Sequence, residues 1–260
     1  MTLLEAIQAC AEFTHKLPGH IYAELRGRRV SRGIELDATD GANVLRVLVP
    51  SANLAPVYAC LPQQWTLSPA EAQALIGMGQ LTLAADGSST VAKVGKSGKP
   101  GKAKPGPIFH AFSAESQRGR KWATFDLTLS KIWSGLSPQA LVTRAALVRA
   151  LAPLDGGANV ILRRTTGLLE LRCDGWTSSL ELEDQTHRAP HLPIRLLVSA
   201  LWCALAHMDE PQVLVSWAAF DGEAATRELL HEGGPARLDC GGVCFVTMPL
   251  REHGLPVKRA

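Results

Sequence analysis

Five lysines, Lys93, Lys96, Lys99, Lys102 and Lys104, crowd into one stretch with no Asp or Glu among them. Charge of one sign on a solvated segment suits contact with the phosphates of nucleic acid. The surrounding run, Gly95 to Pro107, is rich in Gly, Pro and Lys. It can bury almost nothing, so it reads as a mobile loop. Gly95-Lys96-Ser97 has the look of a phosphate-binding loop's end, but the motif's first glycine would have to stand at Thr90. His187 and His191 are four apart, yet Pro190 and Pro193 break the helix that would turn both to one metal. The six cysteines contain no Cys-x-x-Cys pair, and most lie in apolar patterns, as reduced core thiols do. No Ser-His-Asp set or carboxylate pair stands out, so the sequence points to no enzyme, no cofactor and no metal.

The 260 residues are enough for two ordinary domains. With 46% hydrophobic and 20% charged residues, the composition is that of a soluble globular protein. A net charge of +3 is too weak by itself to argue for a nucleic-acid partner. No apolar run approaches the roughly 20 residues that span a bilayer. The N-terminal residues lack the basic region of a secretory signal, which makes a cytoplasmic location the expectation and a membrane partner unexpected.

The elements are organised around Ile34 to Pro50. Alternating apolar residues flank Thr39-Asp40-Gly41, where Asp bonds its own backbone and Gly supplies the positive φ of a hairpin turn. Leu168 to Glu183 repeats the device around Cys173-Asp174-Gly175, which suggests a duplicated unit. In the first half, helical spacing predicts a helix over Leu3 to Leu17, followed by a strand over His20 to Leu25 and a basic turn region over Gly27 to Gly33. After the hairpin come a loose connection over Ser51 to Leu61 and a helix capped by Ser68 with Pro69 at its first position. Strands over Gln80 to Ala85 and Thr90 to Val94, and another over Ile108 to Ala114, follow the second helix. A polar boundary is expected over Glu115 to Lys121. In the second half, strands are predicted over Thr124 to Leu129 and Asn159 to Arg164. Helices are predicted over Pro138 to Leu151 and Ile194 to Met208. Strands over Val213 to Phe220, Ala236 to Cys240 and Val243 to Leu250 close the half. The class is α+β: two similar domains, 1–115 and 122–251, each of antiparallel sheets backed by two helices, with a tail over 252–260.

This order resembles the DNA sliding clamps, the bacterial β clamp in particular. Ala38-Thr39-Asp40-Gly41 resembles the turn of that clamp's middle domain. Val243 to Arg251 resembles its C-terminal strand, and Leu192 to Leu205 followed by Gln212 to Trp217 resembles its last helix and strand. A β clamp has three domains and this chain has room for two; two-domain clamps close as trimers. Clamps are usually acidic outside, and this chain is not. Ala42 stands where the β clamp carries a His.

The resemblance implies a non-catalytic processivity factor whose helices line a hole around double-stranded DNA, held by topology with weak phosphate contacts. Lys16, Arg144, Arg149 and Arg195, on or beside the helices, are the candidate contacts, together with Lys96, Lys99, Lys102 and Lys104. It also implies an apolar pocket for short peptides of polymerases and other partners, walled by Tyr22, Thr39, Gly41, Val44, Val246 and Met248. On strands alone, Val44, Val246 and Met248 read equally as core. Two alternatives remain: a clamp-like protein-binding module without a ring, in a phage, plasmid or secretion system, and a hydrolase with an unrecognised site.

Overall fold

The computed structural model describes residues 1–14, 23–54, 60–84, 88–183, 193–218 and 235–247; of Ser137 only the backbone is described. The chain forms two compact units, Met1–Asp126 and Leu127–Ala260. The segment 115–121, expected as a boundary, lies within the first of them.

The first unit begins with α1 (Leu3–Ala11), started by a capping box in which Thr2 and Glu5 bond each other's backbone N–H. Helix α1 ends at Ala11 rather than Leu17; residues 15–22 lie outside the described residues. Strands β1 (Leu25–Val30), β2 (Gly33–Thr39) and β3 (Asn43–Pro50) then form an antiparallel meander. The segment expected as a basic turn is therefore mostly strand, because Arg26 and Arg28 find Asp37 and Glu35 directly opposite. A short 3-10 turn (Ser51–Asn53) leads on, and β4 (Gln64–Leu67), unforeseen in the sequence, pairs with the free edge of β1. Helix α2 (Pro69–Ala74) has the predicted Ser68 cap and N-terminal proline, with Glu71 completing a second capping box. Strands β5 (Gln80–Leu83) and β6 (Ser89–Ala92) pair as expected.

The stretch 95–107 is not a featureless loop. It returns as β7 (Lys104–Pro105) against β6, with an isolated bridge between Val94 and Pro100. Gly101 N–H donates to Lys93 O at 2.8 Å and Gly106 N–H to Ser89 O at 2.8 Å. Backbone bonding, which composition does not reveal, gives this polar segment its shape. Only β8 (His110–Ala111) of the strand expected over Ile108 to Ala114 forms, on the edge of β4.

Helix α3 (Gln117–Ser134) overturns the strand expected over Thr124 to Leu129. Trp122, Phe125 and Leu129 are buried at helical spacing, while Leu127, which a strand would put on their side, is 59% exposed.

In the second unit, β9 (Leu136–Thr143) occupies the first part of the helix predicted from Pro138. The helix proper, α4 (Arg144–Leu151), starts where the Thr143 hydroxyl accepts from Ala146 N–H. Strands β10 (Asn159–Thr165), β11 (Leu168–Cys173) and β12 (Trp176–Glu181) form a second meander. β13 (Ile194–Leu197) adds to the edge of β10 and replaces the first turn of the predicted helix, which follows as α5 (Val198–Ala206). Strands β14 (Gln212–Ala218), β15 (Ala236–Cys240) and β16 (Val243–Thr247) pair in sequence, with β9 on the far side of β14.

The two units therefore share one plan: a helix, a three-strand meander, an edge strand beside the meander's first strand, a second helix, and further antiparallel strands. Each meander turns one face to an apolar core. In the first unit that face carries Leu25, Ile34, Leu36, Leu45 and Val47; in the second, Val160, Leu162, Leu169, Leu171 and Ile194. Burying one such side chain contributes about 1.5–3 kcal/mol, so these faces hold the units together.

Candidate nucleic-acid and peptide interfaces

The turn between β2 and β3 is built by its own side chains. The Thr39 hydroxyl accepts from Gly41 N–H at 3.0 Å and donates to Asn43 O at 2.6 Å. Asp40 Oδ1 accepts from the backbone N–H groups of Ala42 and Asn43. Gly41 has φ 93°, where a side chain would be strained. Thr39 is buried, so its hydroxyl serves the turn rather than solvent. Val44 is half-buried at the start of β3. Val246 is 2% exposed, in the interior of its unit. Tyr22 and Met248 lie outside the described residues.

The expected DNA contacts separate into three groups. Lys96, Lys99, Lys102 and Lys104, with Lys93, are all exposed on the β6–β7 flap, and none of them is in an ion pair with another of the described residues. Arg149 is exposed in the last turn of α4, where its Nε donates to Ala145 O at 3.4 Å. Arg144 is half-buried and committed: its Nε donates to Leu205 O at 3.0 Å, satisfying a carbonyl of the last turn of α5. Arg195 is on strand β13, not on a helix. It borders an open cavity of about 510 Å³ together with Arg172, Ile161, Trp176 and Thr177. Lys16 lies outside the described residues.

Sequence reading missed the densest charge cluster. Arg26 is 1% exposed and Asp37 is fully buried. The Arg26 guanidinium bonds Asp37 through Nε at 3.0 Å and through Nη2, and reaches Asp126 of α3 at 2.6 and 2.8 Å. Arg46 donates to the other Asp37 oxygen at 2.6 Å, and Arg28 bridges Glu35 and Asp126. Arg26 also lies over the Trp122 ring, 4.6 Å from its centroid. Burial alone would raise the Asp37 carboxyl, but Arg26 and Arg46 hold it at about 2. The signal was available: Arg26 and Arg28 stand at the same distances from the Ser31-Arg32 turn as Asp37 and Glu35, the register of a charged hairpin.

Among the described residues no group of His, Cys, Asp and Glu could hold a metal ion, and the described cysteines are free. No helix among them is long and apolar enough to cross a membrane.

With this geometry in hand, the fold can be placed. It is that of the bacterial DNA sliding clamps. The sliding clamp of Pseudomonas aeruginosa DNA polymerase is similar with a TM-score of 0.59 and 14% identity, over 96% of this chain and 64% of that one. The Helicobacter pylori β clamp, solved bound to a DNA ligase peptide, is similar with a TM-score of 0.61 and 8% identity, covering 96% and 63%. A putative DNA polymerase III β subunit from Eubacterium rectale gives 0.60 and 12%. The chain thus spans about 64% of the length of the clamps it matches. No protein-family model and no curated protein matches its sequence.

Proposed function

We propose that this chain is a clamp-type tether: a non-catalytic scaffold, closing as a trimer around double-stranded DNA, that presents docking sites for short peptides of polymerases and other partners. The observation that carries the reading is the clamp fold over 96% of the chain. Electrostatic attraction to DNA is assigned to the flap lysines Lys96, Lys99, Lys102 and Lys104 with Arg149, all exposed. Such contacts position a backbone without reading bases. Partner peptides are assigned to the surface around the Thr39–Val44 turn.

Retention on DNA tests topology. A loaded ring stays on a closed plasmid in high salt and slides off the linearised one. Solution mass three times that of the chain accompanies it. Loss from both DNA forms together with a monomeric mass defeats the ring.

One observation favours a second reading, a clamp-fold protein-binding module without DNA encirclement. The charged residues of α1, α2, α4 and α5 are Glu5, Glu71, Arg144 and Arg149, two of each sign. Helices that face phosphates gain from a cationic surface, and these are neutral in sum.

A further inference from the structure

The two meanders make a template and an unfilled copy of it. In the first unit the outward face of β1–β3 carries alternating charges in cross-strand register: Arg26 opposite Asp37, Asp37 opposite Arg46, and Arg28 opposite Glu35. That is three arginines against two carboxylates. Helix α3 supplies the third, Asp126, which contacts all three arginines at 2.6–3.3 Å. One turn of α3 also brings Trp122 and Phe125, packed edge-to-face at 5.2 Å, onto the Arg26 guanidinium.

The outward face of β10–β13 has the same strand order and no such cover among the described residues. Its central row runs Arg195, Ile161, Arg172, Thr177 in register, two guanidiniums with an isoleucine between them and no carboxylate. Arg172 has one acid, Glu170 on its own strand at 2.9 Å. Arg195 and Arg163 have no ion-pair partner among the described residues. Strands sit about 4.8 Å apart, so Arg195 and Arg172 stand roughly 10 Å from each other, the width of one helix. Trp176, half-buried at the hairpin tip, also lines the cavity, but its register opposite Cys173 puts it on the side of Leu171 and Leu180.

We propose that this face docks a helix of a partner protein, one carrying a carboxylate with aromatic side chains one and four residues before it, as α3 carries Asp126 after Phe125 and Trp122. The carboxylate seats between Arg195 and Arg172, and the aromatic groups lie on Ile161. A nucleic-acid backbone is the poorer fit. Glu170 and Glu181 lie on the same face and Asp174 beside it, so a track of phosphates meets repulsion at several points, whereas one carboxylate gains two guanidiniums against the single acid, Glu170, that Arg172 already holds. The inference does not depend on a ring or on DNA.

The probe is a fluorescein-labelled helical peptide of α3's length, built on Ala and Gln, with Trp, Phe and Asp at the relative positions of Trp122, Phe125 and Asp126. Anisotropy should show saturable binding to the full chain. Arg195→Glu and Arg172→Glu should each weaken it about tenfold, a fold-change in the range of close interfacial charge pairs. A peptide with Lys in place of its Asp should recover binding to the Arg195→Glu protein. Both arginines are on the solvent face, so thermal melts of the variants should match the parent. Binding absent up to millimolar peptide, binding indifferent to both substitutions, or displacement of the peptide by a short DNA duplex with the same arginine dependence would each overturn the proposal.

Discussion

The two meanders differ where the fold leaves them free to differ. Both bury Leu, Ile and Val on one face, and that face is what the clamp architecture requires. On the other face they part. In β1–β3, arginines and carboxylates interlock, and α3 seals them so completely that Arg26 is 1% exposed. In β10–β13, Arg163, Arg172 and Arg195 have no such seal among the described residues; Arg172 is 49% exposed even while it pairs with Glu170. Near-identical residue types thus have opposite energetic roles. A sealed charge must be neutralised by partners, because water cannot reach it; an open one is solvated whether or not it is paired.

The largest consequence falls on Arg26. Arg26→Ala removes the cation that shares Asp37 with Arg46 and that holds Asp126. It also opens space beneath Trp122. Breaking a buried ion pair on one side typically costs about 3–5 kcal/mol. Urea denaturation should show the unfolding free energy falling by that amount, and amide exchange along β1, β2 and the first half of α3 should accelerate. A change below about 1 kcal/mol would mean that the cluster is hydrated and that the contrast between the faces is false.

Acid should act on the same cluster with a smaller effect. The Asp37 carboxyl is held near 2, against an ordinary value of 3.8. A depressed carboxylate contributes stability that is complete above its unfolded value and is lost as pH falls through the folded one. The contribution is therefore full above about pH 4 and disappears towards pH 2. Its size is on the order of 2 kcal/mol. Asp37→Asn should flatten this part of the stability-against-pH curve.

Much of this architecture is legible in the chain, and the exceptions have a common cause. The turns at Thr39-Asp40-Gly41 and Asp174-Gly175, the Ser68 cap and the β5–β6 pair depend on neighbours in sequence, and local patterns disclose them. The strand expected over Thr124 to Leu129 is part of helix α3; what decides is that Trp122 and Phe125 cover Arg26 from roughly a hundred positions away, a tertiary fact. Arg28 falls in the segment expected as a basic turn, Gly27 to Gly33, and Arg26 stands just before it; arginine is usually exposed, and nothing local marks either as buried. Their pairing shows only when the acids across the turn are aligned with them. Of the candidate contacts, the flap lysines are as exposed as their composition implies. Arg144 and Arg195 looked alike in sequence; yet one fastens the end of α5 and the other lies on an open sheet.

The smallest effect belongs to the open face and completes the contrast. Arg172 sits in register with Ile161 and Thr177, and Glu170 two residues before it on β11 satisfies one Nη at 2.9 Å. An exposed pair of this kind contributes about 0–1 kcal/mol, and the strand keeps its buried residues Leu169 and Leu171 on the other side. Arg172→Ala should therefore change the unfolding free energy by no more than about 0.5 kcal/mol, the range of ordinary surface substitutions. A loss as large as that from Arg26→Ala would show that something already covers β10–β13 in the free protein. In that case the face is a second sealed cluster, and no surface remains there for a partner.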